Sequence, residues 1–159
     1  MHCIHRVVPF CWVAGVTALA LLAGGCGGFD KAWRASVGTE NAQEPLLGRW
    51  KGIWKSEPSG HTDELRCLMT PGTNGAYQAR FHARYGKFPR VSFGYTLALE
   101  ADEVGPTMRF HGGADLGWLA GGMYHCTGVA TATNLHATYE SKYDHGTFEM
   151  SRPVDKKTN

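Results

Sequence analysis

The sequence predicts an all-β domain, an eight-stranded antiparallel meander closed into a small barrel, with a two-sheet sandwich as the alternative. Three observations carry this expectation. Short stretches of strict apolar–polar alternation recur along the chain, turns rich in Gly and Pro separate them, and no stretch sustains a helical period. The chain has the length of one domain. Closure into a barrel would remove the unpaired edges that an open sheet exposes.

The first strand is the clearest. In Gly48-Arg49-Trp50-Lys51-Gly52-Ile53-Trp54-Lys55-Ser56, Trp50, Gly52 and Trp54 alternate with Arg49, Lys51, Ile53 and Lys55, so one face is aromatic and the other largely cationic. Glu57-Pro58-Ser59-Gly60 turns the chain into residues 61–69, where Leu65, Cys67 and Met69 share a face. Pro71-Gly72-Thr73-Asn74-Gly75 is a hairpin signal, because Gly and Asn adopt positive φ at low cost. Tyr77, Ala79, Phe81, Ala83 and Tyr85 then alternate with Gln78, Arg80, His82 and Arg84. Val91, Phe93, Tyr95, Leu97 and Leu99 repeat the pattern. Further strands are expected at 107–113, 123–129, 134–141 and 147–152, with Asp102-Glu103-Val104-Gly105-Pro106 and Tyr143-Asp144-His145-Gly146 as turns. The domain is therefore placed at 48–153, followed by a polar tail at 154–159.

The net charge of +2 offers no strongly basic face, so nucleic acid is not expected as a partner. The N-terminus is different in kind. Met1 to Arg6 is weakly basic and 7–23 is almost wholly apolar, the pattern of a secretory signal peptide rather than a membrane span, for which it is short. Residues 27–47 mix Gly, Ala, Ser, Glu, Gln and Asn without a period and read as a flexible tether. Fully extended, it would reach roughly 70 Å. Phe29 and Trp33 within it would suit a short helical turn or the membrane interface.

Leu21-Leu22-Ala23-Gly24-Gly25-Cys26 resembles a bacterial lipobox, with Ala23 where the pattern most often has Leu. The resemblance implies a signal peptide over 1–25, acylation of Cys26 and a lipidated tether over 26–47. Acyl chains contribute about 0.8 kcal/mol per buried CH₂. Because Gly27 follows Cys26 in place of the Asp of inner-membrane retention, the resemblance implies an outer-membrane anchor facing the periplasm or the surface. Gly48-Arg49-Trp50 at the start of a small barrel resembles the Gly-x-Trp motif of lipocalins and their calycin relatives. In that family the Trp packs at one end of the barrel under an Arg from near the last strand, a role that the resemblance assigns here to Arg152. The second lipocalin motif, Thr-Asp-Tyr, is missing, Thr138-Tyr139-Glu140 does not replace it, and no helix follows the barrel, so the chain looks like a reduced calycin-type barrel. Its layout also resembles small bacterial lipoproteins, and its size, anchor and cysteines resemble lipid-anchored lysozyme-inhibitor barrels.

Few groups point to chemistry. Cys67 and Cys126 remain in the mature domain beside Cys26, and in an exported protein they are candidates for a disulfide, with two buried thiols as the alternative. His61 and Asp63 share a face while Glu64 points away, and His125 with Asp115 would make at most an acid–base pair. Neither set has the three or four converging ligands a metal requires. With no nucleophile elbow, phosphate loop or zinc motif, no catalytic residue, metal or cofactor is assigned, and a non-enzyme is expected. Trp50, Trp54, Phe81, Phe93, Tyr95 and Phe148 are expected inside the barrel, as packed core or as the lining of a cavity for a small apolar ligand. The apolar run 116–122, with Asp115 and Trp118, is either a buried plug, the favoured expectation, or a rim offered to an envelope protein. The expected function is thus a membrane-anchored binding barrel. An inhibitor-type protein-binding barrel or a purely structural envelope protein is the alternative.

Overall fold

A computed structural model describes residues 25–39, 44–86, 91–118 and 121–155. The signal-peptide reading of the first residues and the end of the polar tail lie outside them. One helix, α1 (Gly25–Ala35), precedes eight strands: β1 (Gly48–Ser56), β2 (Thr62–Pro71), β3 (Tyr77–Tyr85), β4 (Val91–Val104), β5 (Thr107–Asp115), β6 (Met123–Ala130), β7 (Asn134–Glu140) and β8 (His145–Ser151). Each strand pairs antiparallel with the next, and β1 pairs with β8, so the meander closes into a barrel. The sandwich alternative is excluded. In the β2–β3 turn Asn74 and Gly75 take φ of 55° and 78°, the conformation their residue types favour.

The alternation read from the sequence is the inside–outside alternation of the barrel. Trp50, Cys67 and Phe81 fall in one register across β1, β2 and β3 and are buried, as are Leu65, Ala83, Leu97 and Leu99. Gly52 lies between the two tryptophans of β1, where the chain runs against β8. A Cβ there would sit 1.9 Å from the Glu149 carbonyl oxygen, so only glycine allows that approach.

One end of the barrel is shut. Trp50 is fully buried and its indole N–H donates to the Leu46 carbonyl at 2.9 Å. Arg152 lies over the Trp50 ring, 3.7 Å from its centre, and its guanidinium donates to the carbonyls of Pro45, Arg49 and Ala132. This is the Trp–Arg contact that the Gly48-Arg49-Trp50 motif led us to expect.

The segment read as a flexible tether, with Phe29 and Trp33 suited to a short helical turn or the membrane interface, holds a full helix, α1, packed on the outer wall. Phe29 and Trp33, one helical turn apart, stack on each other, and Phe29 is 3% exposed. Phe29 also stacks on His82 of β3, with the Arg66 and Arg80 guanidiniums within 5.1 and 5.9 Å of its ring centre. Asp30 pairs with Arg66 at 2.9 Å, and Arg49 of β1 lies 5.7 Å from the Trp33 ring. The cationic outer face of the first strands is thus partly a docking surface for aromatic side chains. Asp155, in the expected polar tail, accepts from both terminal guanidinium nitrogens of Arg49. No helix among the described residues is long and apolar enough to cross a membrane.

Of the two alternatives for the cysteine pair, the structure has the buried thiols. Cys67 and Cys126 are both buried free thiols. They stand on β2 and β6, four strands apart either way round the barrel. A bridge needs Cα atoms about 4.4–6.8 Å apart, and across these facing walls the two thiols are unbonded. Burial pushes the Cys67 thiol well up and the Cys126 thiol up to about 12.

Candidate functional site

The end opposite Trp50 and Arg152 is open. A cavity of about 400 Å³ lies there, lined by Trp54, Leu65, Ala83, Phe93, Gly94, Tyr95, Leu116, Tyr124, Tyr139, Ser141, Asp144 and Phe148. Its position follows from the strand directions. β1, β3, β5 and β7 end at this mouth, so the described parts of the connections that follow them, at 57–61, 116–118, 121–122 and 141–144, lie around it.

Large aromatic side chains on inward positions make the wall. Phe81, Tyr95, Tyr124, Tyr139 and Phe148 form a closed circuit of ring contacts across β3, β4, β6, β7 and β8, with neighbouring centroids 4.8–5.5 Å apart. Tyr124 and Tyr139 are nearly parallel, at 7°. Rings in such contact hold one another's orientation, so the cavity has stiff walls. Trp54, His61 and Tyr85 form a second aromatic cluster at the rim.

Polar groups are few and lie toward one side. The Tyr95 and Tyr124 hydroxyls are 3.3 Å apart. Asp144, in the β7–β8 turn, accepts from Ser56 Oγ at 2.6 Å on Oδ1 and from the Tyr139 hydroxyl at 2.9 Å on Oδ2. Burial raises the Tyr95 and Tyr124 phenols above their ordinary range, and burial together with Asp144 raises Tyr139, so all three stay neutral. The Trp54 indole nitrogen is buried and has no acceptor among the described residues.

The six aromatics expected inside divide by height. Trp54, Phe93, Tyr95 and Phe148 line the cavity, whereas Phe81 is packed beside it and Trp50 seals the far end. Tyr124, Tyr139, Ser141 and Asp144 were missed. Alternation in 123–129 and 134–141 carried the signal for the two tyrosines, but Asp144 read only as a turn residue. Of the apolar run 116–122, residues 119 and 120 lie outside the described residues. Leu116 packs on the core and lines the cavity, while Trp118 is 78% exposed. Asp115 accepts from the Gly117 backbone N–H at 2.9 Å and so shapes that loop.

The remaining polar candidates have local partners. His61 Nε2 is 3.3 Å from Asp63, which also accepts from the Gly86 backbone N–H. Backbone N–H groups and His61 hold the Asp63 carboxyl low against the opposing effect of burial. Glu64 faces outward toward Lys51 and Arg84. His125 is exposed on the outer wall. Among the described residues no three His, Cys, Asp or Glu side chains converge as a metal site would need.

Compared with protein-family models, with curated proteins and with solved structures, the chain matches none of them. The class that the fold defines is a closed eight-stranded antiparallel barrel, shut at one end and hollow at the other.

Proposed function

We propose that this chain is a lipid-anchored binding barrel, not an enzyme, and that it takes a small apolar ligand through its open mouth. The observation that carries the reading is the aromatic cavity of about 400 Å³. Ligand pockets are typically about 300–1,000 Å³, mostly apolar, with a few placed polar groups. The stiff ring circuit favours a ligand with a flat or compact apolar body. Cys26, in the first turn of α1, is the proposed site of acylation, in an outer membrane facing the periplasm or the surface. Because α1 packs on the barrel wall, the anchor would hold the barrel close to the bilayer rather than at the end of a long tether.

The neutral apolar dye N-phenyl-1-naphthylamine tests the reading by fluorescence titration. Saturable binding is expected in the parent chain and not in Ala83→Trp, which places a large ring in the cavity. Equal binding by both chains would place the dye elsewhere and overturn the assignment. A second reading, a protein partner gripped at the same mouth, is favoured by the exposure of Trp118. Under that reading Trp118→Ala abolishes capture of an envelope protein and leaves dye binding intact.

A further inference from the structure

We infer that the cavity selects ligands carrying one positive charge on an aromatic or compact apolar body, such as aryl-alkyl amines, and rejects carboxylate amphiphiles. This deepens the proposal that the cavity binds small apolar molecules and rests on it. Among the described residues, Asp144 is the single charged side chain in the lining, and no Lys, Arg or His shares that wall. An anionic head group placed against this lining would meet a carboxylate and neutral phenols, with no cation to pair with it among the described lining residues. A cationic head would meet a carboxylate and π faces, both of which attract it.

The geometry leaves Asp144 able to take such a partner. Each carboxylate oxygen accepts one hydrogen bond within the protein, from Ser56 or from Tyr139, and each keeps a further lone-pair direction. Those two donors orient the carboxylate without neutralising it. Asp144 is only half buried, so a head group reaches it from the mouth while the ligand body lies deeper. The Tyr124 and Tyr139 rings, parallel and 5.5 Å apart at their centres, belong to the same wall and supply the π faces. Lys142 lies over the Tyr143 ring at 5.3 Å and does not line the cavity.

The test keeps the ligand body constant and changes only its charge. Tryptamine, indole-3-ethanol and indole-3-acetate are titrated by calorimetry into the full chain and into Asp144→Asn, at low and at high salt. Tryptamine is expected to bind the parent chain about tenfold more tightly than the neutral alcohol, and the acetate most weakly. In Asp144→Asn the gap between amine and alcohol closes while the alcohol keeps its affinity, which a merely unfolded variant would not do. Alcohol and acetate binding as tightly as the amine overturns the charge selectivity and leaves cavity binding standing. No binding by any of the three, together with no dye uptake, overturns the cavity reading itself. The comparison among the three probes in the parent chain decides the question even where Asp144→Asn does not fold.

Discussion

The guanidinium of Arg152 lies 3.7 Å from the centre of the Trp50 ring and spans the carbonyls of Pro45, Arg49 and Ala132. One side chain thereby ties the end of β8, the β6–β7 connection and the segment entering β1 to the buried indole that shuts the barrel. A desolvated cation–π contact and charge-assisted hydrogen bonds to carbonyls each carry about 2 kcal/mol. Arg152→Ala is expected to destabilise the fold by about 3–4 kcal/mol in urea unfolding. Arg152→Lys recovers only part of this, because an ammonium lacks the planar fork. Dye binding at the opposite mouth stays unchanged under conditions where both variants are folded. A loss under about 1 kcal/mol for Arg152→Ala would show that the contact does not close the barrel.

Gly52 and Gly28 should respond oppositely to alanine. A Cβ on Gly52 would lie 1.9 Å from the Glu149 carbonyl oxygen, so β1 and β8 must separate. A destabilisation of about 3 kcal/mol is expected, at the upper end for overpacking. Gly28, on α1, has nothing within 4 Å of the place a methyl group would take, and alanine there should stabilise by up to about 1 kcal/mol through helix propensity. Thermal melts of the two variants check both signs.

The thiols give a chemical readout of the interior. Cys67 and Cys126 are buried, unbridged and held protonated by burial. Iodoacetamide is expected to modify neither in the folded chain and both after denaturation without reductant. A pair that becomes reactive only after reduction would show a bridge and contradict the strand placement.

Acid should loosen α1. Burial lowers the pKa of His82, and Arg66 and Arg84 add to this, while Asp30 and Glu64 oppose it. Its Nδ1 is 3.2 Å from Arg66, and its ring stacks on Phe29. The folded state therefore favours neutral imidazole. The stability this gives is complete above the ordinary value of 6.5 and is lost as pH falls from there toward the lowered folded value. Asp30, held low chiefly by its hydrogen bond to Arg66, adds a second loss at pH below its ordinary 3.8. Trp33 fluorescence, followed in a chain whose other tryptophans are left in place and compared with Trp33→Phe, should report undocking below about pH 6.5. His82→Gln should flatten that transition. An unchanged pH profile in His82→Gln would rule out this histidine as its source.

The barrel was legible because period-two alternation and Gly or Pro turns act locally, and each of the eight strands carried its own signal. Tyr77 to Tyr85 needed no tertiary information to read as a half-buried strand. Trp50 and Arg152 were paired through a motif, and the contact is present. Of α1 only a short helical turn at Phe29 and Trp33 was legible, as one of two options, because its stability comes from docking. Phe29 and Trp33 alone are weak helix signals, and the cations they stack on lie on strands far along the chain. The cavity was half legible. Inward aromatics could be named, but whether rings fill a barrel or surround a space depends on their height along it, which alternation does not encode. Asp144 became a wall residue only through closure of β8 on β1, which brings Ser56 to its side chain.

Native mass spectrometry of the full chain, extracted from membranes in mild detergent, shows whether the barrel carries a ligand. A bound small molecule is expected in addition to any lipid on Cys26, carrying an amine on an apolar body and lost in Ala83→Trp. A bare chain that also takes up neither the naphthylamine dye nor any of the indole probes would contradict it.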